Sequence, residues 1–322
     1  MIEIKDYFGL QLQFGKASVF QEKVFSDNLG GFCDGSFFSV VRCSGADVQN
    51  YLNGQTSNQL NTLKSGDGHA SSFNTPKGKV IALIDVFRYE NDYFLIFAAK
   101  AKKRLLETLD MYLFAEDVSF SSLDSTDSLL ILGADQCSSM AKILGLDSSS
   151  DFAVQHIDGA LVFKAHFGQV PYLLVLKPSS NSKIDKEKCL MSLDDLELLR
   201  IKNLYPLPGV EYQEDKILTP ELDQPHRINY QKGCFVGQEV FARLRTYGRT
   251  NKVLACIRLK DCNDSAVNLL NQEVSIDEKS KGNVLACVKF GDETYLTAYV
   301  PTALKNLGDE ACVGEFVGTI MA

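Results

Sequence analysis

The sequence predicts an α+β protein: two α/β lobes followed by a small antiparallel β-barrel. Three observations carry this. The chain has 322 residues, more than one hydrophobic core usually serves. A strand-then-helix pattern occurs twice in its first half. After Gly248 the texture changes to short strands joined by polar turns, with no amphipathic helix left.

Taken in order, residues 93–97 (YFLIF) read as a buried strand. In the helix that follows, Leu105, Leu106, Leu109, Tyr112 and Leu113 form one apolar stripe. Residues 129–132 repeat the arrangement, ahead of a shorter helix carrying Met140, Ile143 and Leu144. Residues 161–163 and 172–176 flank Gly168-Gln169-Val170-Pro171 as a hairpin. A third helix is expected to start near Asp194, run through Leu196, Leu199 and Arg200, and stop before Pro206. Residues 237–244 read as a further helix with Val240, Phe241 and Leu244 turned inward, and 252–259, 273–276, 284–290 and 294–300 as barrel strands. The expected division is 1–245 for the lobes and 246–322 for the barrel.

Apolar residues at 45% and charged residues at 23% are ordinary globular usage and argue against disorder. No apolar run approaches the length of a membrane span or signal peptide, which points to a cytoplasmic protein without membrane contact. Nine widely spread cysteines without a CxxC pair fit reduced thiols better than disulfides, and no metal site is expected. A net charge of −8 opposes nonspecific nucleic-acid binding over the whole surface. The local exception is Arg243, Arg245, Arg249 and Lys252, within ten residues that hold no acid. They read either as a solvated face or as an anion site.

The most informative segment is Lys232-Gly233-Cys234-Phe235-Val236-Gly237-Gln238-Glu239. Flanking glycines leave a thiol open to another molecule. A neighbouring lysine and a helix amino terminus both raise thiolate fraction. The segment equally describes a glycine-anchored turn whose cysteine fills space, because a lone cysteine without a positioned base is weak evidence for a nucleophile. His226 is the candidate partner, and a single histidine is more often structural.

At these residues the chain resembles the YgfZ family, relatives of the glycine-cleavage T-protein. Residues 41–47 (VRCSGAD), 51–58 (YLNGQTSN) and 75–80 (TPKGKV) are similar to further family segments, and Leu199-Arg200-Ile201 and Pro220-Glu221 follow in the family's order. The likeness covers about residues 30–260. It implies a T-protein-like arrangement with tetrahydrofolate in a central channel. The implied function is a folate-binding accessory factor supporting iron-sulfur cluster assembly or repair in client enzymes, tRNA-modifying enzymes included. Implied partners are folate, iron-sulfur client or assembly proteins and, indirectly, tRNA. Cys234 is the expected working thiol, with Lys232 raising its thiolate fraction and Gly233, Phe235, Gly237, Gln238 and Glu239 shaping the loop. Arg200, Glu221, Arg243, Arg245 and Arg249 are the candidates for folate contacts, the arginines suiting a carboxylate tail. The alternatives are a folate-dependent one-carbon transferase and a tRNA-binding module. The transferase is disfavoured because the stretch that holds an acid in the T-protein branch is Gly78-Lys79-Val80-Ile81-Ala82-Leu83, with no carboxylate until Asp85. The chain also lacks tryptophan for pterin stacking, and Gln59 stands where many relatives have an acid.

Overall fold

The computed structural model describes residues 2–7, 10–15, 30–123, 128–146, 150–176, 190–213, 215–248, 250–260, 269–276, 279–304 and 308–321. A hairpin of β1 (Ile2–Tyr7) and β2 (Leu10–Gly15) comes first. The first half then runs β3 (Gly31–Asp34), β4 (Phe38–Ser44), α1 (Val48–Gln55), β5 (Gly68–Asn74), β6 (Val80–Tyr89), β7 (Asp92–Ala98), α2 (Lys102–Met111) and β8 (Ser119–Leu123). Next come β9 (Leu129–Leu132), α3 (Ala134–Leu144), β10 (Ala153–Ile157), β11 (Ala160–Phe167), β12 (Val170–Leu176), α4 (Leu193–Lys202) and α5 (Gln238–Tyr247). The chain ends in β13 (Lys252–Lys260), β14 (Glu273–Ile276), β15 (Lys279–Phe290), β16 (Glu293–Pro301), β17 (Glu310–Val313) and β18 (Phe316–Ile320).

Two five-stranded antiparallel sheets, ordered β5-β6-β7-β4-β8 and β10-β11-β12-β9-β3, pack face to face. Their shared core is aromatic: Phe37, Phe38, Phe87, Phe94, Phe163, Phe167 and Tyr172 are all buried in it. Helices α1 and α2 cover the outer face of the first sheet, and α3 covers that of the second. Strands β13-β16-β15-β14-β17-β18 close into a barrel with its own apolar interior. A fourth cluster, including Val80, Leu83, Leu198, Ile201, Leu254 and Tyr299, seals the barrel against the lobes.

The expected elements appear with shifted ends. Helix α4 starts earlier than Asp194, because Ser192 accepts from the Asp195 N–H and the Asp195 carboxylate accepts from the Ser192 N–H, a complete capping box. The 161–176 hairpin turns on Gly168 at φ +65°, and Pro171 lies within β12 opposite His166. Of the apolar residues carried by α3, Met140 is buried while Ile143 is 58% exposed. The barrel also contains β17 and β18 beyond the four expected strands. No helix among the described residues is long and apolar enough to cross a membrane.

Candidate functional site

The motif loop is locked to the end of α1. A helix carboxy terminus leaves carbonyls without intrahelical partners and carries partial negative charge. Lys232, only 6% exposed, donates from its ammonium to the Asn53 and Thr56 carbonyls at 2.6 Å each and to the Asn58 carbonyl at 3.0 Å. Two backbone bonds run alongside: Val236 N–H to the Gly54 carbonyl at 3.1 Å and Asn229 N–H to the Ser57 carbonyl at 2.9 Å. The Lys232 ammonium also lies 5.2 Å from the centre of the Phe235 ring, which stacks on Phe241 at 6.0 Å.

This clasp leaves Cys234 exposed. Of the other described cysteines, Cys33, Cys43, Cys137 and Cys256 are buried, and Cys287 and Cys312 are partly so. Burial pushes the Cys137 and Cys256 thiols up to about 12, which keeps them protonated and inert. Cys189 and Cys262 lie outside the described residues. The ammonium expected to serve the thiol instead donates to three carbonyls. Among the described residues no hydrogen bond joins His226 to Cys234. Among the described residues no His, Cys, Asp and Glu side chains gather in threes that could hold a metal ion.

The two motif glycines differ. At Gly237, φ is +87° and a Cβ would stand 2.7 Å from the Thr75 carbonyl oxygen and 3.0 Å from the Gly78 Cα. Only glycine lets the TPKGK turn reach the start of α5. A Cβ at Gly233 would meet nothing within 4 Å, so that glycine keeps the thiol uncovered without being sterically required. Gln238 donates its side-chain amide to the Lys232 carbonyl at 3.3 Å, closing the loop. Glu239 is exposed and paired with Arg243 one helical turn on.

The folate candidates do not converge. Arg200 is fully buried, bonded twice to Glu197 at 2.8 Å and to Glu211 at 2.6 Å. This corrects its expected role, since no face of it is open to a ligand. Glu221 is also buried, accepting from the Leu218 N–H at 2.7 Å as a cap. Arg243 is engaged by Glu239, Arg245 lies over the Tyr230 ring, and Arg249 lies outside the described residues. Arg200, Arg243 and Arg245 do not form a shared carboxylate site.

Ala82 and Leu83 are buried and apolar. Asp85 does not replace an acid there: it accepts from Arg227 at 3.0 Å and from the Tyr172 hydroxyl at 2.8 Å. Burial pushes its carboxyl up, while Arg227 and Tyr172 pull it back down. Arg227 escaped the sequence reading. It also donates to the Ser71 and Ile84 carbonyls at 3.2 and 2.7 Å, tying the motif loop to the first sheet. Nothing local in Pro225-His226-Arg227 signals this.

No family model matches the chain. It is 26% identical to the tRNA-modifying protein YgfZ of Hamiltonella defensa, covering 79% of this chain and 78% of that one. It is 25% identical to the Buchnera aphidicola protein of the same name, over 67% and 69%. A putative chloroplastic transferase of Arabidopsis thaliana is 22% identical, over 90% and 69%. Among solved structures, the glycine cleavage system aminomethyltransferase T of Bartonella henselae matches with a TM-score of 0.79 at 15% identity, over 100% of this chain and 93% of that one. The T-protein-like fold implied by the motifs is therefore the fold observed.

Proposed function

We infer that this chain, which belongs to the YgfZ family and carries the T-protein fold, is an accessory factor for tRNA modification whose working group is the Cys234 thiol. In this reading the thiol takes part in assembling or repairing iron-sulfur clusters in client enzymes in the cytoplasm. The single observation that supports it most is the pairing of an exposed sulfur with a loop held rigid by the Lys232 clasp. A sulfur on such a loop is placed to meet iron or transient sulfur on a client that supplies the remaining ligands. Transferase chemistry of the T-protein kind is disfavoured because Ala82 and Leu83 can neither hold nor accept a proton. Reduced folate is the ligand suggested by the fold.

The test has two arms. Mild alkylation at neutral pH should label Cys234 first. In cells deleted for their own YgfZ protein, Cys234→Ala should fold normally yet fail to restore iron-sulfur-dependent tRNA methylthiolation. Full rescue by that variant would reduce the cysteine to a packing residue. Separately, titration with tetrahydrofolate and its polyglutamates should give heat and a thermal shift, and silence in both would remove folate from the reading.

A further inference from the structure

Helix α5 borders two pockets beside the thiol loop. One, of about 210 Å³, is walled by Tyr230, Phe235 and Phe241 and presents the Gln238 amide and Arg245. The other, of about 280 Å³, lies between Pro220, Leu244 and Thr250. Tyr230 and Arg245 line both. The guanidinium carbon lies 5.5 Å over the ring centre, so one cation–aromatic pair borders both spaces. Tyr230 is 37% exposed, which leaves ring surface for a visitor.

Aromatic surface, an amide and a cation together suit a flat heterocycle carrying an anion. Two such spaces bordered by one cation–aromatic pair suit two neighbouring heterocycles. Residues 240–260, which carry α5 and β13, hold six lysines and arginines and no acid on a chain of net charge −8, and of these Arg245 lines the pockets. Part of that charge is engaged, Arg243 by Glu239, Arg258 by Glu293 and Lys252 over the Tyr299 ring. Among the described residues Arg245 lies over the neutral Tyr230 ring and forms no ion pair, which leaves its charge for an anion. One cation bordering two such spaces matches a single phosphate that links two bases.

We propose that this double pocket binds single-stranded RNA, with two successive bases on either side of the Tyr230–Arg245 pair and the intervening phosphate on Arg245. The proposal deepens the reading above and rests on it for the choice of RNA, the polymer on which tRNA-modifying clients act.

Fluorescence anisotropy with a labelled anticodon stem-loop and a fully paired RNA duplex of equal length tests it. The stem-loop should bind about tenfold or more tighter than the duplex, because stacking needs unpaired bases. Its affinity should fall with salt along a shallow log–log slope of about −1 to −2, the response of one or two phosphate contacts. Tyr230→Ala and Arg245→Ala should each weaken binding about tenfold, as lost stacking does, while Tyr230→Phe stays within about twofold. Lys142→Ala, removing an exposed charge on α3, should also change little. Thermal melts of each variant separate lost binding from lost folding, and Tyr230→Phe reports on the ring even where Tyr230→Ala melts early. No binding at about 100 µM protein in low salt, equal binding of the duplex, or an unchanged affinity in Tyr230→Ala would overturn the proposal. Cys234→Ala should bind RNA like the parent while failing complementation. Loss of the RNA result with retained dependence on Cys234 would thus sink this proposal alone, and the converse would sink the functional reading alone.

Discussion

Lys232 shows how far sequence adjacency misleads about side-chain direction. Two residues from a thiol it reads as that thiol's activator, yet all three of its protons point at carbonyls of residues 53–58. Burial pulls its pKa down to about 8. The three acceptors at the negative end of α1 act the other way and hold the proton. Lys232→Met, similar in length and without donors, should leave three acceptors in a nearly closed space and cost about 2–4 kcal/mol, read as a lowered urea midpoint. Lys232→Arg should not restore it, since a planar fork cannot aim three N–H groups at three converging oxygens. An unchanged midpoint in Lys232→Met would show the clasp to be incidental. The exposed Cys234 was legible because glycine neighbours are visible in the string. The clasp was not, because its acceptors are backbone atoms that carry no residue signature.

At the level of elements, the two signature segments meet glycine to glycine. Gly78 and Gly237 both have positive φ, at +71° and +87°, and Val240 packs within 3.0 Å of where a Gly78 Cβ would stand. Gly237→Ala should therefore cost about 2–4 kcal/mol from left-handed strain and collision with the Thr75 carbonyl. Gly233→Ala, in open space, should stay within about 0.5 kcal/mol. Equal midpoints for the two variants would contradict this asymmetry, which the spelling of the motif cannot show. Helices α2 and α3 were legible because one face is wet and the pattern repeats, and β13 and β16 because they are apolar runs bounded by polar turns. Strand β5 was not: Ser71, Ser72 and Asn74 are buried, satisfied by Ser57 and Thr219 through hydroxyl and amide bonds of 2.8 to 3.3 Å. A buried polar strand looks like a loop until its partners, far along the chain, are known.

Across the whole molecule, Arg200 fastens lobes and barrel. Its partner Glu211 also accepts from Thr297 of β16 at 2.9 Å through its carboxylate and from the Tyr299 hydroxyl at 2.7 Å through its carbonyl. Glu197 receives the Tyr7 hydroxyl of the first hairpin. One buried guanidinium thus balances two carboxylates where three parts of the chain converge. Arg200→Met should cost about 3–5 kcal/mol by leaving those carboxylates uncompensated, and adding Glu211→Gln should recover part of the loss. Differential scanning calorimetry of the parent should show one transition, because the barrel cannot detach without exposing this cluster. A barrel that melts separately, or an Arg200→Met variant as stable as the parent, would refute the fastening role. The overall architecture was legible from texture and motif order. The docking was not, since nothing in Leu199-Arg200-Ile201 separates an arginine that meets a ligand from one that closes a seam.

The clasp between Lys232 and Asn53 joins positions 179 residues apart. At synthesis rates of about 5–20 residues per second, roughly ten to thirty-five seconds pass on the ribosome between the two. Throughout that interval α1 ends in unanswered carbonyls, and no contact of this loop exists to place the sulfur. The Cys234 loop thus acquires its shape late, and a chain released before Lys232 presents helix α1 without the frame that places this sulfur. A thiol probe applied to stalled nascent chains would read completion of the fold directly.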